Sequence, residues 1–442
     1  MKKICLLLLL ALPAAAHSQS VLDRVRQKAR ARVDQKVDQG IEKSLDEAEK
    51  AATAPASKKE AAAAAANGTE EGEATPAVEG TGSAPAAAAV SFRSYSRYDF
   101  VPCTELVYAE DFGRDAIGEF PLGWGTNNRG EAVTIKGMDG QWLQLFKEGR
   151  FLSPYVKGLP ANFTFEFDLV LHLPPNEKST NYPEFTVRLL GMDAGDDKGR
   201  KLLNGGADAK VDTRIVFDPF PDDYSHISIF SEEGRMPYFS KERKPLPKLG
   251  SYVDKRIHLA VWVQGERLRL WINGEKIYDL PQALPEKASF NRIEFATGGS
   301  VYTDEEVGYY VSNIRVAQGA ADLRTKLLNE GRFSTTGILF DVDSDKIRPE
   351  SAGVLGGIAK LLQENPDLRL KIIGHTDADG NAVHNQTLSK LRAAAVVRAL
   401  NAEYGIAAAR LQADGKGAAQ PVADNTSREG KAKNRRVEFI KL

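Results

Sequence analysis

Residues 258–277 read HLAVWVQGERLRLWINGEKI, and their pattern decides the fold of the larger part of the chain. Ile257, Leu259, Val261 and Val263 alternate with His258, Ala260 and Trp262, and Leu268, Leu270 and Ile272 repeat the pattern beyond a turn. Successive side chains leave a strand on opposite sides, so a period of two marks strands with one face in a core. Gln264–Arg267 is a turn containing Gly265. Asn273-Gly274 is a tight hairpin turn, after which Ile277 begins another strand.

The alternation extends outward. Phe163, Phe165, Phe167, Leu169 and Leu171 interleave with Thr164, Glu166, Asp168 and Val170, and further strands are expected at Arg214–Phe217, Ser225–Phe230, Arg292–Ala296 and Tyr309–Val316. Many short strands punctuated by Gly, Pro and Asn over residues 98–317 predict an antiparallel two-sheet sandwich. In order, EDFGRDAIGEFPLGW, FTFEFDLVL, the quoted hairpin stretch and GYYVSNIRVA resemble the concanavalin A-like jelly roll of lectins, laminin G-type domains and glucanases. That resemblance implies either a glycan or protein ligand or a scaffold role. Trp124, Trp142, Trp262 and Trp271 are the candidates for stacking on sugars, with core packing as the alternative.

Ahead of the sandwich the composition changes twice. Residues 1–18 read as a signal peptide: Lys2 and Lys3 precede the apolar run Ile4–Leu12, and small residues follow. Val25, Ala29, Val33, Val37, Ile41 and Leu45 form one apolar stripe within the charged segment 21–50, a helix about 45 Å long. A stripe that narrow needs a partner helix, a membrane surface or a protein groove; a short coiled coil is the favoured expectation, with a solvated, partly frayed helix as the alternative. Residues 51–92 are rich in Ala, Glu, Gly, Thr and Pro, a disordered linker whose ends lie on the order of 35 Å apart. With Cys5 inside the signal, Cys103 stands alone and reads as a small buried hydrophobe.

From Phe333 to Leu442 helices alternate with strands. Gly337–Phe340 reads as a strand and Pro349 opens a helix that Asn365-Pro366 ends. Leu368, Leu370 and Ile372 form a strand, and a second helix starts near Asn385 with Leu388, Leu391, Ala395, Val396 and Leu400 on one face. Short strands near Arg410–Ala413 and Val437–Ile440 complete an α+β unit. FDVDSDKIRPES, IIGHTDADGNAVHNQTLSKLRAAAVVRAL, GKGAAQPVADN and NRRVEF occur in this order over residues 333–442. Together they resemble the peptidoglycan-binding C-terminal domain of the OmpA-like family, which includes the peptidoglycan-associated lipoproteins.

That resemblance implies a non-catalytic envelope protein, in the periplasm or at the cell outer membrane, holding peptidoglycan through the diaminopimelate of its stem peptide. By motif, the ligand-binding acid and base fall on Asp377 and Arg392. The head group of diaminopimelate bears an ammonium and a carboxylate on one carbon, which a fixed carboxylate and a planar guanidinium complement. Thr376 is expected to orient Asp377, Asn385 to bond ligand or cap the helix, and Leu388 to form an apolar wall. Asp341 and Asp343 are expected to follow the first strand into the pocket, while Arg435 and Arg436 read as structural or surface residues.

Other chemistries find little support. The formal net charge of -1 gives no reason to expect a nucleic-acid partner. The six histidines lack metal-ligand spacing, His375 and His384 reading as loop residues, and neither a phosphate loop nor a dinucleotide fingerprint is present. No cofactor or metal is called for; the acidic stretches 193–197 and 218–223 read as surface loops rather than calcium sites. The alternative is a secreted glycan hydrolase using the C-terminal module for targeting. Glu166 and Asp168 stand two apart on one strand face, as paired carboxylates must, but Val170 and Leu171 occupy the positions where the glucanase motif has its second Glu. Exposed strand charges are the simpler reading of that pair.

Overall fold

The computed structural model describes residues 99–442, except 157, 176–181, 193–198, 205–208, 221–223 and 320–322. The expected signal peptide, the helix of 21–50 and the linker of 51–92 lie outside the described residues, as do 193–197 and 221–223 of the acidic stretches. In chain order the first strands are β1 (Glu105–Glu110), β2 (Gly125–Thr126), β3 (Gly130–Val133), β4 (Trp142–Leu145) and β5 (Arg150–Leu152). They are followed by β6 (Asn162–His172), β7 (Phe185–Gly191), β8 (Val211–Asp218), β9 (His226–Glu233) and β10 (Met236–Pro245). Next come β11 (Arg256–Gln264), β12 (Arg267–Ile272), β13 (Glu275–Leu280), β14 (Arg292–Thr297) and β15 (Gly308–Gln318).

These strands form two antiparallel sheets. The first runs β13-β12-β11-β6-β15-β4-β3, with β1 also on β15, and the second runs β10-β9-β8-β7-β14-β5-β2. Gln264 pairs with Arg267 across the first hairpin turn. Asn273 (φ 47°) and Gly274 (φ 81°) supply the left-handed conformations of the second. The alternating residues Phe163 to Leu171 of β6 and Ile257 to Val263 of β11 meet Phe185, Val187, Ile215, Phe217, Ile293 and Phe295 from the opposite sheet in one core. Each such side chain contributes about 1.5–3 kcal/mol when buried. Cys103 is buried, as expected.

The C-terminal module contains α1 (Leu323–Asn329), α2 (Ala352–Glu364), α3 (Ala382–Tyr404) and α4 (Arg428–Asn434). Its strands β16 (Arg332–Thr335), β17 (Leu370–Gly374), β18 (Leu411–Gly415) and β19 (Val437–Lys441) are ordered β16-β19-β17-β18. Only β17 and β18 pair in parallel within this sheet. Gly374 and Gly415 lie opposite each other on those strands. A Cβ on Gly374 would stand 2.1 Å from the Ser389 carbonyl oxygen, and one on Gly415 2.4 Å from the Lys390 nitrogen. Glycine is required here because α3 rests directly on the sheet backbone.

Two readings of this module need correction. Gly337–Phe340 is not a strand. The strand is Arg332–Thr335, where Phe333 and Thr335 alternate inward against β19. Residues 337–340 instead turn into a loop: Leu339 N–H donates to Ser351 Oγ (2.8 Å), and its carbonyl accepts from Arg348 N–H (2.8 Å). The core also begins earlier than residue 333, since Leu327 of α1 is fully buried in it.

The described residues form one compact unit, in which the C-terminal module covers the outer face of the first sheet. Strand β6 is therefore buried on both sides, Thr164, Glu166, Asp168 and Val170 included. Arg428 of α4 reaches Glu110 and Asp115 of the sandwich, both at 2.5 Å. Phe100 packs between Trp271 and α2, where a Cβ on Gly353 would stand 1.9 Å from the Phe100 carbonyl oxygen. Among the described residues no helix is long and apolar enough to cross a membrane.

Candidate binding site

Strand β17 ends in the loop His375–Thr376–Asp377, and α3 leaves from its far side. Asn381, not Asn385, caps that helix: its Oδ1 accepts from Val383 N–H (2.8 Å) and His384 N–H (3.2 Å). Asn385 lies one turn inside and braces the loop, its Nδ2 donating to the carbonyls of Asp379 (2.8 Å) and Asp377 (3.4 Å). Thr376 Oγ1 donates to the Asp377 carbonyl (2.8 Å), so it shapes the backbone rather than touching the carboxylate. The Asp377 carboxylate accepts from Asp379 N–H (3.1 Å) and from Arg435 Nη1 (2.6 Å).

Arg392 projects from α3 toward the loop after Phe340. Its Nε donates to the Ser344 carbonyl (2.9 Å), its Nη2 to that of Asp341 (3.3 Å), and the guanidinium lies 5.0 Å from the Phe340 ring centre. Among the described residues no carboxylate reaches it at ion-pair distance. Burial pulls its pKa below the usual guanidinium value, while Asp343 and Asp377 pull it back. Asp343, at φ 53°, turns its carboxylate to His384 Nε2 (2.5 Å). The loop is thus built to fix Arg392 through backbone carbonyls and leave its charge unmatched.

Asp343, Thr376, Asp377, Asn385, Leu388 and Arg392 all line one cavity of about 440 Å³. Arg435 lines it as well, against the reading of that residue as structural or surface; it bonds Asp377 and stands 3.7 Å from Asp111 of the sandwich. Arg436 lines the same cavity but is held by backbone, its guanidinium donating to the carbonyls of Asn434 and Gln420. The two differ in position and partners: Arg435 caps α4 beside the loop and bonds Asp377, while Arg436 immediately precedes β19. His375 is buried with its pKa lowered to about 4, chiefly by burial and then by Arg436, so it is neutral at ordinary pH. No cluster among the described residues is arranged to hold a metal ion.

The far wall of the cavity belongs to the sandwich, through Asp168, His258 and Arg315. Glu166 and Asp168 are not exposed strand charges, because the second domain covers their face. His258 lies between them, with Nδ1 2.8 Å from Asp168 and Nε2 3.4 Å from Glu166. Burial opposes its charge, but these bonds outweigh it and raise its pKa to about 10. Asp168, despite its own burial, falls to about 2 under His258, Arg256 and Arg348. Of the tryptophans, Trp124, Trp142 and Trp271 are buried and cannot stack on a sugar, and Trp262 lies beneath Arg269, 4.1 Å away.

Residues 339–435 match the OmpA family. The C-terminal module is an OmpA domain. The chain is 36% identical over 144 residues to the probable lipoprotein YiaD of Escherichia coli, covering 30% of this chain and 63% of YiaD. It is 41% identical over 101 residues to outer membrane porin F of Pseudomonas aeruginosa, covering 23% of this chain and 29% of the porin. The chain therefore spans less than two thirds of either relative. Among solved structures, the peptidoglycan-associated lipoprotein of Burkholderia pseudomallei is 31% identical, with 25% of this chain and 89% of that chain covered at a TM-score of 0.23.

Proposed function

We propose that this protein attaches to the bacterial cell wall through its OmpA domain, clasping the zwitterionic head group of diaminopimelate in the peptidoglycan stem peptide. The OmpA domain itself points to cell-wall association, and the relatives include a probable lipoprotein, YiaD, and an outer membrane porin, porin F. The observation that carries the finer reading is that Asp377 and Arg392 face one cavity, the second without a carboxylate partner among the described residues. Asp377 takes the ammonium and Arg392 the carboxylate. Each charge-assisted hydrogen bond contributes about 1.5–3 kcal/mol, so one site is weak, and firm attachment comes from many copies on a polyvalent wall.

The rest of the chain is read as non-catalytic. The sandwich, a jelly roll in this reading, serves as a scaffold built onto the wall domain, and its carboxylates Glu166 and Asp168 hold His258 and Arg256 within the interface. The buried tryptophans favour this role over a sugar-stacking platform. Export by the signal peptide would place the protein in the periplasm or at the outer membrane. The test is a pull-down with insoluble peptidoglycan. The unaltered chain should be retained, and Asp377→Asn and Arg392→Gln should be lost to the supernatant. Retention of both variants at the unaltered level would remove the assignment.

A further inference from the structure

The head group of one amino acid fills only part of a cavity of about 440 Å³. The remainder runs toward the sandwich, where Arg315 of β15 faces it. Arg315 Nη2 donates to Thr336 of the OmpA domain, at its carbonyl (2.9 Å) and its Oγ1 (2.6 Å). Its Nε is buried and has no hydrogen-bond partner among the described residues. The two carboxylates nearest in the sheet are already engaged. Glu166, opposite Arg315 in the ladder, takes His258, and Asp168 takes His258, Arg256 (3.3 Å) and Arg348 (3.5 Å). Among the described residues no carboxylate ion-pairs with Arg315.

We infer that Arg315 forms an anion subsite, through which the sandwich takes a second carboxylate of the same stem peptide whose head group lies between Asp377 and Arg392. A half-buried guanidinium whose buried Nε lacks an acceptor carries a cost that an arriving acceptor relieves. Burial lowers the Arg315 pKa and Arg435 adds to this, against Glu166 and Asp168, so an incoming carboxylate relieves a real deficit. The peptide supplies two carboxylates besides the head group: the α-carboxylate of its γ-linked glutamate and its C-terminus. The ligand site then spans both domains. This inference rests on the head-group reading above.

The experiment measures binding of a soluble Ala-γ-Glu-diaminopimelate-Ala tetrapeptide to the full-length chain by calorimetry. The peptide is used with all carboxylates free, with the glutamate α-carboxylate amidated, and with the C-terminus amidated, the head group being left intact throughout. The unaltered protein should prefer the free acid over one of the amides by about tenfold or more, and the amide that suffers names the carboxylate. Arg315→Gln should bind all three forms equally weakly, and Arg315→Lys should recover part of the preference. Thermal unfolding of each variant identifies any loss that comes from misfolding, which would affect all peptides and also the lysine variant. No discrimination by the unaltered protein, or the same discrimination by Arg315→Gln, overturns the subsite. Unaltered binding by Asp377→Asn would instead overturn the head-group reading, leaving the Arg315 result to stand separately.

Discussion

The Arg435 guanidinium stands 2.6 Å from the Asp377 carboxylate, so the acid assigned to the ligand's ammonium already carries a cation. Asp111 of the sandwich, 3.7 Å from the other end of the same guanidinium, offers a place to which it can turn. On the proposed reading, Arg435 competes with the ligand's ammonium for Asp377. Arg435→Gln should tighten diaminopimelate binding by up to about fivefold, the worth of a half-exposed ion pair. A titration showing weaker binding would mean that Arg435 is a ligand contact.

Arg428 closes on two sandwich carboxylates, Glu110 and Asp115, each nearly inaccessible to solvent. Arg428→Ala strands both and should cost about 3–5 kcal/mol in urea unfolding. Burial already lifts the Glu110 pKa to about 7, so the additional change Glu110→Gln should return part of that loss. A double variant no more stable than the single one would contradict this account.

The buried His258 makes stability depend on pH in a defined direction. Its folded pKa of about 10 lies above the ordinary 6.5, so its contribution is complete below 6.5 and fades as pH rises to 10. Asp168, lowered from 3.8 to about 2, contributes fully above 3.8 and loses its part as pH falls through 2. The stability gap between the unaltered chain and His258→Gln should thus be widest between these two windows and shrink from pH 6.5 to 10. Chemical denaturation at several pH values measures the gap, and a constant gap would refute the assigned charge.

Trp271 is fully buried against Phe100. Trp271→Ala should destabilise the chain by about 3–5 kcal/mol. On a glycan array, a Trp271 variant still folded at low temperature should show the same pattern as the unaltered protein. Loss of a specific glycan signal without loss of stability would restore the stacking role.

The parts of the fold set by local chemistry were legible in the sequence. The hairpin at Asn273-Gly274 and the inward residues of β6 and β11 depend on turn geometry and alternation, which neighbouring residues specify. Gly337–Phe340 misled because a short apolar run has the same pattern whether it enters a ladder or folds over Ser351. Asn381 and Asn385 are equally good caps by composition, and only the start of α3 distinguishes them. Five of the six expected lining residues came together because they lie on the loop after β17 and on α3, and Asp343 joins them from the separate loop after Phe340. Glu166, Asp168, Arg315 and Arg435 could not be placed in the same way. Their surroundings come from the meeting of two domains, and no local pattern encodes that contact.

The clamps formed by Arg428, Arg256 and Arg348 span the junction between sandwich and OmpA domain. A load applied at the wall would enter β6, β11 and the flank of β1 through several fastenings acting side by side. Such fastenings must yield together in shear instead of peeling one after another. With the OmpA domain held at the wall, as proposed, the sandwich would then follow each displacement as a stiff lever.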